Sequence, residues 1–226
     1  EDQPWQPRYL AQPIWNFFNA CFFEYGITAY DLDLGAYLRE GRTFDERFKQ
    51  RAKAVGRKLA RQLSKDYVVF PALSGRGALR TMGANFTANV LRNAWSHSVI
   101  MCGHFPEGVE VFETESVVDE TKGQWYLRQM LGSANISGPK LLHIMSGNLS
   151  HQIEHHLFPD IPSNRYAEVA PAVRRLFDRH GLKYVTGSLP RQVASAWRRV
   201  LRLSLPNNFW GLNKTEPMPV PPRLAA

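Results

Sequence analysis

Two aromatic-rich, largely apolar segments flank a strongly basic one, and this arrangement limits the possible folds more than any other feature of the sequence. The apolar segments are residues 9–30 and 78–102, and both contain polar side chains. Neither contains the roughly 18 uninterrupted apolar residues that mark a simple transmembrane helix. The first segment fits a buried helix of a soluble protein as well as it fits a membrane helix. In a membrane, the polar side chains of the second would face partner helices or a cavity.

The basic segment, residues 43–66, has the periodicity of an amphipathic helix, and Thr43 with Glu46 fits a capping box at its start. Such a charged face is either simply solvated or attracts phosphate, on an anionic lipid surface or on a nucleic acid. Short Lys/Arg-rich loops between membrane spans lie on the cytoplasmic side, so the position of this segment favours the lipid surface. No nucleic-acid-binding motif accompanies the charge, and we expect no nucleic acid partner.

Composition indicates a protein whose cysteines are reduced, and the C-terminal third of the sequence indicates further helices. The net charge is +8, and Cys21 and Cys102 are the only cysteines, which excludes a disulfide scaffold. The opening residues, EDQPWQPRYL, do not form a signal peptide and are typical of the interior of a longer chain. Helices are expected over residues 163–180, with a kink or restart at Pro171 and an end at Gly181, and over residues 190–206. Residues 207–226 read as a poorly ordered proline-rich tail.

The sequence SGNLSHQIEHHLFPDIPSN, residues 146–164, contains three of the seven histidines of the chain. Helical spacing places His151, Gln152, His155 and His156 on one sector, with Glu154 outside it. Neutral imidazole is a common metal ligand, although clustered histidines also occur on ordinary polar surfaces. The zinc-protease pattern H-E-x-x-H is absent, and no C-x-x-C pair accompanies the histidines. A metal site of another type and a polar helix end therefore both remain open.

Three stretches of the sequence resemble one family. GNLSHQIEHHLFPDIPSNRY is similar to the third histidine box of membrane-bound fatty acid desaturases, which has the form Q-x-x-H-H followed by LFP. RNAWSHSVIMCGHFPEG and TKGQWYLRQMLGSANISGP also resemble this family, particularly its actinobacterial acyl-CoA branch. The resemblance covers residues 1–206, with a cytosolic cap expected over residues 103–206.

This resemblance implies an all-α fold in which transmembrane helices carry a cytosolic, histidine-rich cap that binds two iron ions. The family uses O₂ to introduce a double bond into an acyl chain. The implied substrate is an acyl-CoA or an acyl-lipid, and the implied electron donor is a reductase or a ferredoxin-like protein. The implied location is the cytoplasmic membrane, which the chain would cross more than once.

By the same resemblance, His155 and His156 are iron ligands. Gln152 occupies a position that is histidine in other branches, so it is a weak ligand, a water-mediated ligand or a hydrogen-bonding partner of the ligands. His151 is at most such a partner. A further ligand is expected from the end of the last membrane helix, where His97 and His104 are both candidates. They lie on nearly the same helix face but about 10 Å apart, and we favour His104, with His97 as the alternative.

The first two histidine boxes of the family, H-x-x-x-H and H-x-x-H-H, should lie upstream of these residues, and nothing of that kind occurs before His97. The resemblance therefore extends to the C-terminal half of a desaturase, and we expect the N-terminal half to be a required partner. Two other classes remain open for the chain by itself. One is a folded remnant without catalysis, and the other is a basic module that binds a membrane or a nucleic acid.

Overall fold

The computed structural model describes residues 5–40, 45–112, 117–206 and 209, and most of them are helical. The α-helices of this part are α1 (Gln12–Cys21), α2 (Phe23–Asp31), α3 (Leu34–Glu40), α4 (Glu46–Ser64), α5 (Phe70–Leu73), α6 (Ala78–His104), α7 (Lys122–Leu131), α8 (Lys140–Met145), α9 (Gln152–Leu157), α10 (Tyr166–Arg179) and α11 (Leu189–Ser204). A π-helical turn (Lys65–Val69) joins α4 to α5 without a break. Short 3₁₀ turns cover Pro7–Ala11, Gly75–Gly77 and Ser163–Arg165.

Two short strands pair in parallel, β1 (Asn135–Ser137) with β2 (Thr186–Ser188). Asn135 lies opposite Thr186, and Ser137 lies opposite Ser188. The mostly helical architecture confirms the expected helical class. The two strands, each of three residues, are too short to show a period-two pattern in sequence.

The two apolar segments fold differently. Residues 9–30 are interrupted at Phe22, whose backbone (φ −125°, ψ 34°) separates α1 from α2. Residues 78–102 instead form most of one continuous helix, α6. Among the described residues, no helix combines the length and the hydropathy that a membrane span needs.

The basic segment forms α4, but the helix begins later than the sequence indicates. Its N-cap is Asp45, whose carboxylate accepts a hydrogen bond of 2.7 Å from the backbone N–H of Phe48. Glu46 is therefore the first residue of the helix, and it does not occupy the third helical position that the expected capping box requires. Thr43 itself lies outside the described residues, as does the tail from residue 207 onward apart from Phe209.

In the C-terminal third, α11 confirms the second predicted helix, and α10 ends as predicted before Gly181, which has a positive φ of 63°. Two details differ. Residues Ser163–Arg165 form a 3₁₀ turn, so α10 begins only at Tyr166, and it continues through Pro171 without restarting. The apolar interior of this region comes from α7, α9 and α10, and its buried residues are Met130, Leu131, Ile153, Leu157, Val173 and Phe177.

Helix α6 contacts both the helical segments that precede it and the strand β1 that follows it. Near its N-terminus Asn85 donates to the backbone carbonyl of Asp66 in the π-helical turn, at 2.6 Å. Toward its C-terminus Val99 and Cys102 pack against Ile136 of β1. The end of α6 is thereby held against the strand that precedes α9, the helix of the histidine motif.

Candidate metal centre

The end of α6 and the start of α9 bring four of the predicted site residues together. Gln152 Nε2 lies 3.2 Å from His104 Nε2. The ring of His156 lies 5.0 Å from that of His104 and 5.6 Å from that of His155, measured between ring centroids. Two elements that are distant in sequence thus place three imidazoles and one amide in a common cluster.

Gly103 permits this close approach of α9 to α6. A Cβ atom at this position would lie 2.8 Å from Gln152 Cγ, a distance that real Cβ atoms essentially never show. The carbonyl oxygen of Gly103 also accepts a hydrogen bond of 2.9 Å from the backbone N–H of Ala134. The absence of a side chain at Gly103 is therefore a structural requirement of the cluster.

Each of the two histidines of α9 has one ring nitrogen engaged by a neighbouring side chain. His155 Nδ1 lies 3.0 Å from the hydroxyl of Tyr166, and His156 Nδ1 lies 2.8 Å from Gln129 Oε1. Such contacts orient an imidazole and leave its Nε2 atom as the nitrogen available to a metal, an arrangement typical of metal-binding histidines. The donor set thus fits a metal that prefers nitrogen ligands.

The protonation state of His156 also suits a ligand. Burial lowers the pKa of His156 to about 4, and the nearby charges of protonated His104 and His155 act in the same direction. The ring is therefore neutral near pH 7, with a lone pair available to a metal.

Beneath the histidines lies a buried carboxylate that the sequence did not single out. Glu154 is 0% exposed, and its oxygens accept hydrogen bonds from Asn135 Nδ2 at 2.7 Å and from the Tyr184 hydroxyl at 2.8 Å. Burial raises the pKa of Glu154, while these two hydrogen bonds act against that change. Asn135 Oδ1 also accepts from the backbone N–H of Ile153 at 2.9 Å. Asn135 therefore holds the first turn of α9 by both ends of its side-chain amide.

The other four histidines lie elsewhere. His151 precedes α9 as its N-cap, so the expected common sector excludes it, and its ring stacks on that of His143 at 4.8 Å. His97 is buried against the ring of Phe23, 5.1 Å away, and it lines a small cavity with Asn16 and Trp197. The geometry therefore groups His104, and not His97, with the motif of α9. His180 is the C-cap residue of α10.

The residues that orient the cluster were missed in the sequence because they lie far from the motif. Gln129 and Asn135 precede the motif, on α7 and β1, and Tyr166 and Tyr184 follow it. Gln129 and Asn135 lie within TKGQWYLRQMLGSANISGP, and Tyr166 is the last residue of GNLSHQIEHHLFPDIPSNRY, whereas Tyr184 lies outside the stretches that resemble the family. Within the described residues, no group of three or more histidine, cysteine, aspartate or glutamate side chains is placed to hold a metal ion by itself.

Comparison with known proteins identifies the family of this chain. The fatty acid desaturase family model matches residues 3–188, which is most of the chain. The chain belongs to the fatty acid desaturase family. Its mostly helical class, its QIEHH motif and the convergence of His104 on that motif are thus features of a member of this family.

Several curated members are similar to the chain. A protein of Mycobacterium tuberculosis named NADPH-dependent stearoyl-CoA 9-desaturase is 47% identical over 212 residues, which are 92% of this chain and 49% of that protein. Human fatty acid desaturase 3 is 33% identical over 42% of this chain and 20% of its own length, and the acyl-lipid 8-desaturase of Rebecca salina is 38% identical over 38% and 21%. The chain spans about half the length of the mycobacterial relatives. No solved structure matches it.

Proposed function

We propose that this chain is the C-terminal portion of an O₂-dependent fatty acid desaturase and supplies part of its di-iron site. One observation carries the proposal: α6 and α9 bring His104, Gln152, His155 and His156 into one cluster. Residues 1–206 form the desaturase portion, and the cluster lies where its helical part meets its cap.

In this proposal His104, His155 and His156 bind iron, and Gln152 binds it weakly or through water. The remaining ligands come from a segment that carries the two other histidine boxes of the family. Iron held at such a site supplies the activation of O₂ that removal of two hydrogens from an acyl chain requires. The chain's own residues orient the imidazoles, through Tyr166 and Gln129, and keep His156 unprotonated.

The proposed substrate is an acyl-CoA, since the M. tuberculosis relative is named a stearoyl-CoA desaturase. That name also includes NADPH dependence, and we propose a reductase or a ferredoxin-like protein as the electron donor. Iron accepts electrons one at a time, whereas NADPH gives two, so a carrier between them is chemically required.

We further propose that residues 9–30 and 78–102 lie in a membrane. Large apolar side chains cover the outside of these helices, among them Trp15 and Leu79, which are 70% and 82% exposed. A polar contact lies between the helices: the backbone N–H of Glu24 donates to Oδ1 of the buried Asn93 at 2.8 Å. Polar groups inside and apolar groups outside are the pattern expected of helices in a bilayer.

This arrangement changes one expectation from the sequence. If residues 78–102 cross the membrane once, α4 and the cap lie on opposite sides, so both cannot be cytoplasmic. We keep the cap on the cytoplasmic side, where an electron donor has access to it. α4 then lies on the opposite side of the membrane, contrary to the expectation from its charge.

Catalysis is tested by restoring the two missing boxes. Alone, the chain should bind iron weakly and desaturate nothing, because the remaining ligands of each ion no longer act together. Co-expressed with a segment carrying both boxes, it should regain activity, and His155→Ala or His156→Ala should reduce that activity below detection. His180→Ala, on the same chain, is the matched control and should leave activity intact. Stoichiometric binding of two irons by the chain alone, measured after gel filtration, contradicts the shared site.

Location is tested separately by washing membranes of expressing cells with concentrated salt. An integral protein stays in the membrane fraction, whereas a peripheral basic protein is released because salt screens its attraction to anionic lipids. Release by salt alone contradicts the proposed membrane helices. Salt-sensitive binding of a DNA fragment by the released chain would instead favour the basic-module alternative.

A further inference from the structure

The short helix α8 presents an exposed apolar face. Leu141, Ile144 and Met145 are 65%, 61% and 58% exposed. Because they are separated by three and four positions, they lie on one side of the helix. A single exposed apolar side chain is ordinary on a protein surface, whereas several grouped on one face mark an interaction site. The outer face of α8 is therefore a candidate for contact with another apolar surface.

The opposite side of α8 packs against the C-terminal half of α6. Leu142 lies against the apolar cluster to which α6 contributes the buried residues Val99 and Cys102, and Trp95 packs against the same cluster. The indole N–H of Trp95 also donates to the backbone carbonyl of Met145 at 3.2 Å. These contacts fix α8 beside the last turns of the segment that is proposed above to lie in the membrane.

The outer face of α8 continues an exposed apolar surface of α6. Leu91 lies one turn before Trp95 on the same side of α6, and its side chain is well exposed. Because Trp95 is hydrogen-bonded to Met145, the apolar surface runs from Leu91 over the indole ring to α8. Tryptophan is enriched where a membrane meets water, since its ring is apolar and its N–H is polar. The position of Trp95 therefore places α8 at the edge of a bilayer.

The composition of this face fits lipid better than it fits a protein partner. Its three side chains include no aromatic residue and no arginine, the types that dominate the centres of protein interfaces. Helix α8 has no carboxylate, and its first residue is the exposed Lys140. A lysine in this position can lay its stem along apolar surface and bring its ammonium group to a lipid phosphate. Both the apolar side chains and the charge therefore match a bilayer that contains anionic lipids.

We propose that α8 lies in the membrane–water interface, with Leu141, Ile144 and Met145 among the acyl chains and Lys140 at the headgroups. The helix has six residues and a length of about 9 Å, so it rests in the surface and does not cross the bilayer. The proposal deepens the membrane location given under the proposed function, and it rests on that location for the position of α6.

This lipid contact also bears on the histidine cluster. His143 of α8 has its Nδ1 atom 2.7 Å from Ser150 Oγ, and its ring stacks on that of His151, the residue directly before α9. Helix α8 thus contacts the start of the helix that carries the QIEHH motif. Lipid bound to the outer face of α8 thereby sets the height of α9 above the bilayer.

The test is the fluorescence of an environment-sensitive label on the 226-residue chain, reconstituted in vesicles of phosphatidylcholine and phosphatidylglycerol. Cys21→Ser removes the half-buried thiol, and Cys102 is fully buried. The label is attached at Ile144→Cys on α8, at Leu91→Cys on α6 or at Arg175→Cys on α10. All three parent side chains are exposed, so the labels should leave the packing intact.

Two quenchers distinguish lipid from water. One is a lipid that carries a nitroxide near the headgroup end of its acyl chain, and the other is iodide in the water. The Ile144→Cys label should lose roughly half or more of its emission to the nitroxide and little to iodide, since the apolar face of an interfacial helix lies about 5–10 Å deep. The Arg175→Cys label is the matched control, and it should be quenched by iodide alone.

Quenching of the Ile144→Cys label by iodide and not by the nitroxide overturns the proposal, and the outer face of α8 would then belong to a protein partner. The Leu91→Cys label reports on the proposed membrane helix separately. If the nitroxide quenches this label but not the one at Ile144→Cys, the membrane helix stands and the inference about α8 fails. Quenching at Ile144→Cys alone supports the lipid contact of α8 and contradicts the membrane location of α6.

Discussion

The helical part from α1 to α6 and the cap that follows His104 differ in which side chains they bury and which they expose. In the first, the interior contains polar side chains such as Asn93, which is 4% exposed, while Leu79 is 82% exposed. In the cap, Ile153 and Phe177 are both 0% exposed and form the centre of an apolar cluster. The cap is thus organised by the hydrophobic effect in water, whereas contacts between polar groups hold the first part together.

This difference explains where the candidate metal centre lies. His104 is the last residue of the long helix of the first part, and His155 and His156 belong to the cap. The cluster therefore forms only if the two parts are correctly joined, and substitutions in either part or at their junction test the comparison in different ways.

The largest effect on the cap is expected from Asn135→Asp. The new carboxylate would face the buried Glu154 carboxylate, which Asn135 now contacts at 2.7 Å. Facing carboxylates and the lost donor should lower the free energy of unfolding by about 3 kcal/mol. Denaturant unfolding measures this loss, which should affect the apolar cap more than α1 to α6.

The matched rescue is Asn135→Asp combined with Glu154→Gln. In the double variant the new amide at position 154 replaces the lost donor, and the new carboxylate at position 135 still accepts from the backbone N–H of Ile153. Most of the lost stability should return. A double variant that is as unstable as the two single variants added together contradicts the assigned hydrogen bonds.

At the junction, Gly103→Ala should be destabilising. The added Cβ would lie 2.8 Å from Gln152 Cγ, and overpacking of this kind costs about 1–3 kcal/mol. Gly83→Ala, in the same helix, is the control: its Cβ would meet nothing within 4 Å, and it should add up to about 1 kcal/mol. Thermal unfolding distinguishes the two, and equal midpoints would show that α9 does not press on Gly103.

Lowering the pH should reduce the stability of the cap by a smaller amount. Since burial lowers the pKa of His156 to about 4, the unfolded chain takes up a proton below about pH 6.5 that the folded chain does not. Stability should therefore fall as the pH is lowered from about 6.5 to 4. The raised pKa of Glu154 acts oppositely, because the folded chain then binds the extra proton. The His156→Gln variant isolates the first contribution: its stability should fall less than that of the parent on acidification, and an identical profile contradicts the prediction.

The smallest effect is expected at the start of α4, far from the cap. Asp45→Ala removes the acceptor of the Phe48 N–H and should cost about 1 kcal/mol. Asp45→Asn keeps an acceptor and should remain near the parent. Circular dichroism during thermal unfolding measures both, and neither change should alter the cap.

Local patterns in the sequence predicted much of the helical part and little of the junction. The continuous α6, the basic α4 and the amphipathic α11 follow from apolar periodicity, which acts within a few turns. The break at Phe22 does not, because it depends on how α1 and α2 pack against α6. His151 was assigned to α9 by spacing alone, but the helix begins one residue later, and helix ends are the least predictable part of a periodic pattern.

The order of the amino acids is enough to establish that the chain is mostly helical and carries the desaturase motif QIEHH, because both are patterns of residues close together in the sequence. The choice between His97 and His104, which lie on nearly the same face of one helix, needed the three-dimensional contacts. It depends on Gly103, which lets Gln152 approach His104, and on Asn135, which holds α9 from another element. The physical cause of these contacts is the close packing of α6, β1 and α9. Because they join residues far apart in the chain, no local pattern in the sequence indicates them.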